Sequence, residues 1–375
     1  MKIVIVTIFF PPHVGGVEVI AQQQARTLAS AGHTVCVITS RHDRGLAATE
    51  STTDGYRIVR VPVFNAVENR TGIPYPVVGW SSIRTCWREF RGATYVHVHD
   101  TFYQPSQIAA LIAALRGRPL HVTQHVGIVE HTSRMAMRVQ SIIYRFVASR
   151  IWKQANSVTV YNAHVRDFLL CRGVDVRKVH EIYNGIDIRE FTPVSSQRRK
   201  ELRIRLGLPV DRAIVLFVGR LVPKKGYLEL LEAQAAEFDI LFVGPGRAPE
   251  RFPDNVRFLG SVDRGDLAAL YQACDVFVLP AIGELFTLAM QEAMACGLPI
   301  VTTDDPQYAE YDLDRQLICL VEREPDRIRD AILRILHDAQ LASSMATYSR
   351  ELAEARFDWN RNGGALSAAM LAAPE

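Results

Sequence analysis

The sequence predicts an α/β protein made of two doubly wound parallel-sheet domains, and three observations predict it. A chain of 375 residues is too long for one ordinary core and suits two. Short apolar runs alternate with helix-forming stretches, the pattern of parallel strands joined by crossover helices. After residue 192 the composition turns polar and basic (PVSSQRRKELRIRLGLPVD, 193–211), and then the alternation restarts. The expected division is a first domain over 1–192, a linker over 193–211, a second domain over 212–352 and a helical tail over 353–375.

In the first domain KIVIVTIFF (2–10) reads as a buried strand, PPHVGG as its loop and 17–31 as a helix. HTVCVIT, YRIVRVPV, YVHVHD and LHVTQHV supply further strands, and SVTVYN and VHEIYNGID close the domain. In the second, AIVLFVG, ILFVGPG, VRFLGSV, DVFVLP and PIVTT are five strand candidates. Helices are expected between and after them over 226–238, 264–273, 287–296 and 325–338. Such domains bind ligands at the carboxyl ends of their strands, and a pair has a cleft between them.

Hydrophobic residues make up 48% and charged residues 22%, the profile of a soluble globular protein. The net charge of +3 calls for no nucleic acid. The cysteines at 36, 86, 171, 274, 296 and 319 have no metal-ligand spacing, and five of the six lie in apolar or helical contexts, so buried free thiols in a reducing compartment are expected there. No apolar run approaches the roughly 18 residues of a membrane-spanning helix. MKIVIVTIFFPPH has neither the charged region nor the small-residue cleavage site of a signal peptide, which points to the cytoplasm.

Gly15 and Gly16 in PPHVGGVE precede a helix, where backbone can approach a ligand and the helix end favours anions; a plain tight turn explains them equally well. The stretch is not G-x-G-x-x-G, which argues against an NAD-dependent dehydrogenase. In GRLVPKKG, Arg220 follows a strand and Lys225 precedes Gly226 and a helix. A planar bidentate donor and an ammonium on one strand-end loop suit a diphosphate, while Lys224 reads as solvated surface. Gly244 lies in a loop, VGPG, that can lie against a ligand, and Leu259 in a strand-end turn whose peptide groups can meet a base.

GELFTLAMQEAMACGLPIV (283–301) places two carboxylates, Glu284 and Glu292, in an otherwise apolar or small-residue setting. Thr287 suits the N-cap of a helix that Gly297 and Pro299 end, so Glu284 precedes the helix and Glu292 lies on its second turn. Carboxylates only accept hydrogen bonds, so they suit hydroxyls at two separate places. One sugar ring and one ribose bridged by a diphosphate fit that layout.

Glu284 and Glu292 with seven residues between them, followed by AMACGLPIV, resemble the E-x7-E signature of the retaining glycosyltransferases of family 4. Those proteins have the GT-B fold, two Rossmann-like domains facing across a cleft. PPHVGGVE, YNGID, GRLVPKKG, VGPG, VRFLGSV and CDVFVLP follow the family order, and FDWNR looks like the start of its last helix, which crosses back to the first domain. The resemblance implies that Glu292 binds the ribose of a nucleotide and Glu284 a hydroxyl of the donor sugar. Arg220 and Lys225 would hold the diphosphate and stabilise charge as the nucleotide leaves. Gly16 would lie near the donor phosphate or the acceptor, and His125 beside the donor sugar. His125, Arg220, Lys225 and Glu284 form the implied catalytic set; Gly244, Leu259, Phe286, Thr287 and Leu288 join the donor-binding set.

The implied reaction is hexosyl transfer with retention, from a nucleoside-diphosphate sugar to a glycan or lipid-linked acceptor, in cell-envelope polysaccharide or glycolipid synthesis. It implies no cofactor, no metal and domain closure over the donor. Two departures bear on the donor sugar. Glu284-Leu285-Phe286-Thr287 stands where members commonly have Glu-x-Phe-Gly, and TTDDPQYAE where many have a Gly-Gly. A GT-B nucleotide-sugar epimerase and a non-catalytic nucleotide-sugar-binding subunit are the alternatives.

Residues 131–155 carry Arg134, Arg138, Arg145, Arg150 and Lys153 with no acid between Glu130 and Asp167. Met135, Met137, Ile142, Ile143, Tyr144, Phe146 and Trp152 accompany them. A basic helix with bulky apolar residues can lie on an anionic membrane surface; a core-packed helix whose arginines face water is the alternative. The first reading expects peripheral contact at the inner face of the cytoplasmic membrane.

Overall fold

The computed structural model describes residues 1–13, 15–64, 75, 77–128, 134–283 and 286–371. It divides into two compact units, 1–184 with 360–375, and 185–359.

The first unit holds β1 (Lys2–Val6), β2 (Thr34–Arg41), β3 (Thr49–Ser51), β4 (Arg57–Phe64), β5 (Val77–Val78), β6 (Tyr95–His99), β7 (Leu120–Gln124), β8 (Ser157–Val160) and β9 (Val179–Glu181). Their order is β3-β4-β2-β1-β6-β7-β8-β9, with β5 on β4. From β4 to β9 the pairing is parallel, and only the short β3 and β5 run antiparallel. The helices are α1 (Gly16–Ser30), α2 (Trp80–Glu89), α3 (Gln104–Leu115), α4 (Arg134–Ile143), a π-helical turn (Tyr144–Ala148), α5 (Ser149–Gln154) and α6 (Ala163–Leu170). Alternation along the strands splits the sheet into two faces. Val4, Val6, Val96, Val98 and Val122 share one core with Cys86, Ala113, Tyr144, Trp152 and Leu169 from α2 to α6. The intervening residues His97, His99, His121 and Thr123 are buried on the opposite face.

The first strand is shorter than the apolar run suggests. Its regular part ends at Val6; Thr7 still donates to the Ile38 carbonyl (3.1 Å) and Ile8 accepts from the Ser40 N–H (3.1 Å), while the Thr7 hydroxyl donates to the Phe9 carbonyl (3.1 Å) as the chain turns toward Pro11. The edge strands β3 and β5, three and two residues long, carry too little pattern to be read from sequence.

The second unit holds β10 (Ala213–Val218), β11 (Phe238–Val243), β12 (Val256–Phe258), β13 (Val276–Leu279), β14 (Ile300–Thr303) and β15 (Cys319–Val321), in the order β12-β11-β10-β13-β14-β15 and all parallel. Its helices are α7 (Ser196–Arg205), α8 (Tyr227–Glu232), α9 (Arg264–Ala273), α10 (Leu288–Ala295), α11 (Pro325–His337) and α12 (Ala339–Arg356). A last helix, α13 (Trp359–Leu371), places all but its first residue in the first unit.

Four expectations are corrected here. Residues 193–211 are not a free linker, because α7 is capped by Ser195 and packed into the second unit. Buried Arg203 fixes it, donating to Asp275 (2.6 Å) and to the carbonyls of Ala273 (2.8 Å) and Arg212 (3.0 Å). The boundary lies at 184 rather than 192: Ile186 donates to the Phe357 carbonyl (2.8 Å) and accepts from the Trp359 N–H (3.0 Å). A Cβ on Gly185 would sit 2.7 Å from the Trp359 Cα, so only glycine permits that approach. The helix expected over 226–238 ends at Glu232, and a sixth strand, β15, follows the five expected.

Candidate functional site

In the second unit the loops at the carboxyl ends of the strands are knitted together by backbone. Gly219 donates to the Val243 carbonyl (2.9 Å), Leu221 to that of Pro245 (2.9 Å), and Gly244 to that of Gly260 (2.8 Å). Gly244 has φ +135°, and a Cβ there would run into the Gly219 carbonyl. Gly226, at φ +74°, leaves the space that the Pro280 carbonyl fills, and Ile282 donates to the Lys224 carbonyl (3.1 Å). Strand-end loops can approach this closely only without side chains. Gly244→Ala is therefore expected to destabilise this unit by about 2–4 kcal/mol, read from the urea midpoint. An unchanged midpoint would contradict the crowding.

This edge brings together Arg220, Lys225, Gly244, Leu259 and the loop from Ala281 into α10. Arg220 is exposed, while the half-buried Lys225 stem passes Gly219, 3.8 Å from where a Cβ would be. Glu284 lies outside the described residues. Its neighbour Gly283 donates to the Asp305 carboxylate (2.7 Å), so the departure from Gly-Gly supplies an acid that tethers this loop. Asp304, beside it, is clasped by both terminal nitrogens of Arg315 (3.0 Å each).

Three residues expected in the donor set act otherwise than side-chain ligands would. The Phe286 ring is buried against Tyr311 (4.4 Å), Phe357 (5.3 Å) and Tyr308 (5.4 Å), so it offers a ligand only its main chain. The Thr287 hydroxyl accepts from the Met290 N–H (3.2 Å) as the helix cap. Leu288 opens α10, where the unpaired N–H groups of a first turn are found.

Glu292 is buried on α10 and accepts from the Tyr271 hydroxyl on α9 at 3.0 Å. Burial pushes its carboxyl up to about 7, with Arg264 and the Tyr271 hydroxyl pulling it back and Glu190 adding to the rise. Arg264 pairs with Glu190 (2.7 Å) and lies over the Phe191 ring. Tyr271 and Arg264 were not singled out from sequence: Tyr271 is 21 residues from its partner, and only helix packing joins them.

The first unit carries a second cluster. Gly16 opens α1. The Glu18 carboxylate occupies the space beside Gly15 and meets the His13 Nδ1 at 2.6 Å. An acid in this first turn already faces the positive helix end, so the loop suits a ligand hydroxyl better than a phosphate. His125, at the end of β7, faces His99: its Nε2 is 2.9 Å from the His99 Nδ1. Among the described residues the His99 Nε2 is buried without a partner. A lone pair costs less in that position than an N–H. That balance favours the tautomer in which the His99 Nδ1–H donates to the His125 Nε2, which leaves the proton of a neutral His125 on its Nδ1. Asp100, at φ +50°, accepts from the His125 N–H (3.0 Å) and the Gln124 amide (3.0 Å), and burial raises its carboxyl to about 7. Asp100, His99 and Glu18 were missed; the VHVHD run was the only signal for the first two, and Glu18 closes the PPHVGGVE motif.

Burial, with mutual repulsion, holds His97 and His99 far below the usual imidazole range, and burial takes His121 and His125 to about 3. A base whose folded value lies below its unfolded one, about 6.5, contributes in full above that pH and loses its contribution as pH falls toward the folded value. Asp100 and Glu292, raised to about 7, act oppositely and lose stability as pH rises through their unfolded values toward 7. The larger imidazole set decides the sign. The urea midpoint should fall steadily from pH 7 to pH 5, and a flat profile would show that the imidazoles are not held neutral. Among the described residues no group of three His, Cys, Asp or Glu could hold a metal ion.

The family model described as glycosyl transferases group 1 matches residues 198–352, and that described as Glycosyltransferase Family 4 matches 14–190. The GDP-mannose-dependent alpha-mannosyltransferase of Mycolicibacterium smegmatis is 30% identical over 325 residues, 81% of this chain and 80% of its own. The D-inositol 3-phosphate glycosyltransferase of Corynebacterium glutamicum is 25% identical over 390 residues, 94% of this chain and 90% of its own. Anabaena HepE, solved in complex with UDP and glucose, superposes with a TM-score of 0.75 at 20% identity, covering 98% of each chain. At that identity the likeness is one of fold.

Proposed function

The chain belongs to glycosyltransferase family 4, with the GT-B fold, and from that premise we propose that it moves a hexosyl group from a nucleoside-diphosphate sugar to a glycan or lipid-linked acceptor, with retention and without a metal. The observation that carries this reading is the gathering of Arg220, Lys225 and the loop into α10 at one sheet edge, with Glu292 on that helix. The anomeric carbon–phosphate oxygen bond breaks, a bond to the acceptor oxygen forms on the same face, and the acceptor proton passes to the leaving phosphate. Arg220 and Lys225 take the charge that develops on the diphosphate. Glu292 accepts from the ribose and Glu284 from the donor sugar. Main-chain groups at Gly244, Leu259, Phe286, Thr287 and Leu288 line the donor. In the first unit His125 donates to a sugar hydroxyl, and Glu18 beside Gly16 accepts from the acceptor.

The test is nucleotide release from UDP-, GDP- and ADP-sugars with a chelator present, followed by NMR of the product anomer. Release with the donor's anomeric configuration kept is expected. Inversion, dependence on added metal, or donor isomerisation without release would overturn it.

The lipid-linked acceptor and a place in cell-envelope synthesis at the inner face of the cytoplasmic membrane are supported by α4, its π turn and α5. Met135, Val139, Ile142 and Phe146, at helical spacing, are exposed along with Arg138, Arg145 and Arg150. Tyr144, Ala148 and Trp152 fill the core face. Residues 131–133 lie outside the described residues. Among the described residues no helix is long and apolar enough to cross a membrane. Sedimentation with anionic liposomes at low salt should carry the protein down, and Arg138→Glu/Arg145→Glu should release it; wild-type protein left in the supernatant would sink the membrane reading.

A further inference from the structure

The outward side of α2 and α3 has properties that neither the fold nor the donor site uses. Trp80 is 77% and Trp87 46% exposed, large areas for tryptophan on a soluble surface. Leu111 and Leu115 on α3 are exposed, and so is Phe64, whose ring lies 3.6 Å from where a Gly79 Cβ would be. The Arg116 guanidinium stacks on the Trp87 ring at 4.0 Å, and Arg84, Arg88 and Arg91 are exposed on the same helix or just past its end. Between Val77 and Arg118 the only acids are Glu89 and Asp100, and both are buried. Glu89 pairs with Arg88 (3.0 Å) and with Arg57, so among the described residues Arg84, Arg91 and Arg116 are left without a carboxylate from that stretch.

The position of this face matters as much as its composition. α2 leads into β6, α3 joins β6 to β7, and α4 with α5 joins β7 to β8. Right-handed crossovers that advance in one direction along a parallel sheet all fall on one side of it. One core holds Cys86 of α2, Ala113 of α3 and Trp152 of α5, as that rule requires. The α2–α3 face is therefore on the same side of the sheet as the exposed stripe of α4.

The geometry points to a second bilayer contact: the α2–α3 face, anchored by Trp80 and Trp87, seats on the anionic membrane surface that the proposed function already assigns to the 131–155 segment. This inference rests on that reading. Tryptophan is suited to the headgroup boundary, and arginine covers apolar surface with its stem while its charge stays among the phosphates. Each basic residue near such a surface adds about 1 kcal/mol, screened by salt. A planar anionic surface answers two basic patches on one side, which a compact protein partner would have to match separately.

Tryptophan fluorescence tests this directly. The other two tryptophans, Trp152 and Trp359, are 0% and 6% exposed, so changes on vesicle addition report Trp80 and Trp87. Full-length protein is mixed at low salt with phosphatidylcholine vesicles, with and without phosphatidylglycerol, carrying bromine on the acyl chains. A blue shift with quenching on the anionic vesicles alone is expected. Trp80→Ser/Trp87→Ser should lower partitioning about tenfold, equivalent to about 1.4 kcal/mol, while transfer to a water-soluble acceptor and the melting temperature hold. Sedimentation of the wild type without quenching, and with no effect of Trp80→Ser/Trp87→Ser, would overturn this contact and leave the α4–α5 reading standing. Absence of any sedimentation would overturn both. Concentration-dependent dimers with no vesicle binding would assign the face to a second copy instead.

Discussion

Lys225→Ala and Arg220→Ala are each expected to lower kcat by about 10²–10³, the cost of removing one preorganised charge from a leaving group. The reason is differential: the donor's diphosphate is already anionic in the ground state, but negative charge grows on it as the glycosidic bond breaks, so the loss should exceed any change in KM. Lys225→Arg and Arg220→Lys discriminate further. An ammonium on its stem and a planar fork present donors differently, so neither exchange should restore full rate. Single-turnover release of nucleotide, compared with donor affinity by calorimetry, separates the two effects. A kcat within threefold of wild type in both alanine variants would remove these side chains from the reaction.

Glu292→Gln should weaken nucleoside-diphosphate binding by tenfold or more, since a hydrogen bond to a charged group contributes about 1.5–3 kcal/mol. Glutamine keeps an acceptor for the Tyr271 hydroxyl, so the fold should hold; alanine would leave that buried hydroxyl without a partner and destabilise as well. The pH dependence gives a second readout. In the free protein the carboxyl titrates near 7, and a ribose hydroxyl is best accepted by the ionised form. Affinity should fall as pH drops below 7 in the wild type and stay flat in Glu292→Gln. Tyr271→Phe should shift that profile without abolishing binding. Calorimetric titration with UDP, GDP and ADP from pH 5.5 to 8 settles it; equal affinities for wild type and Glu292→Gln would refute the assignment.

Much of the fold was legible because its signals are local. The helix expected over 264–273 spans those residues, and Thr287 caps α10 as its hydroxyl and position foretold. The failures share a cause. Residues 193–211 read as a linker because their arginines are polar in sequence, yet Arg203 is buried by the Asp275 carboxylate and carbonyls some 70 residues away. What sequence also could not show is that three aromatic rings, from 308, 311 and 357, claim the Phe286 side chain, so that its proposed place in the donor set rests on its main chain.

The sequence by itself determined the two parallel-sheet domains, the order of their motifs and the residue types placed at strand ends, since period, turn glycines and caps act over a few neighbouring residues. The tertiary structure decided which groups meet: Tyr271 with Glu292, His99 with His125, Asp305 with Gly283, and the basic, tryptophan-bearing face of α2 and α3 on the side of α4. Those pairings depend on how strands order in a sheet and how helices pack across it. Burial then set their charge states, since the desolvation that lifts Glu292 and depresses His125 exists only once the chain has closed around them.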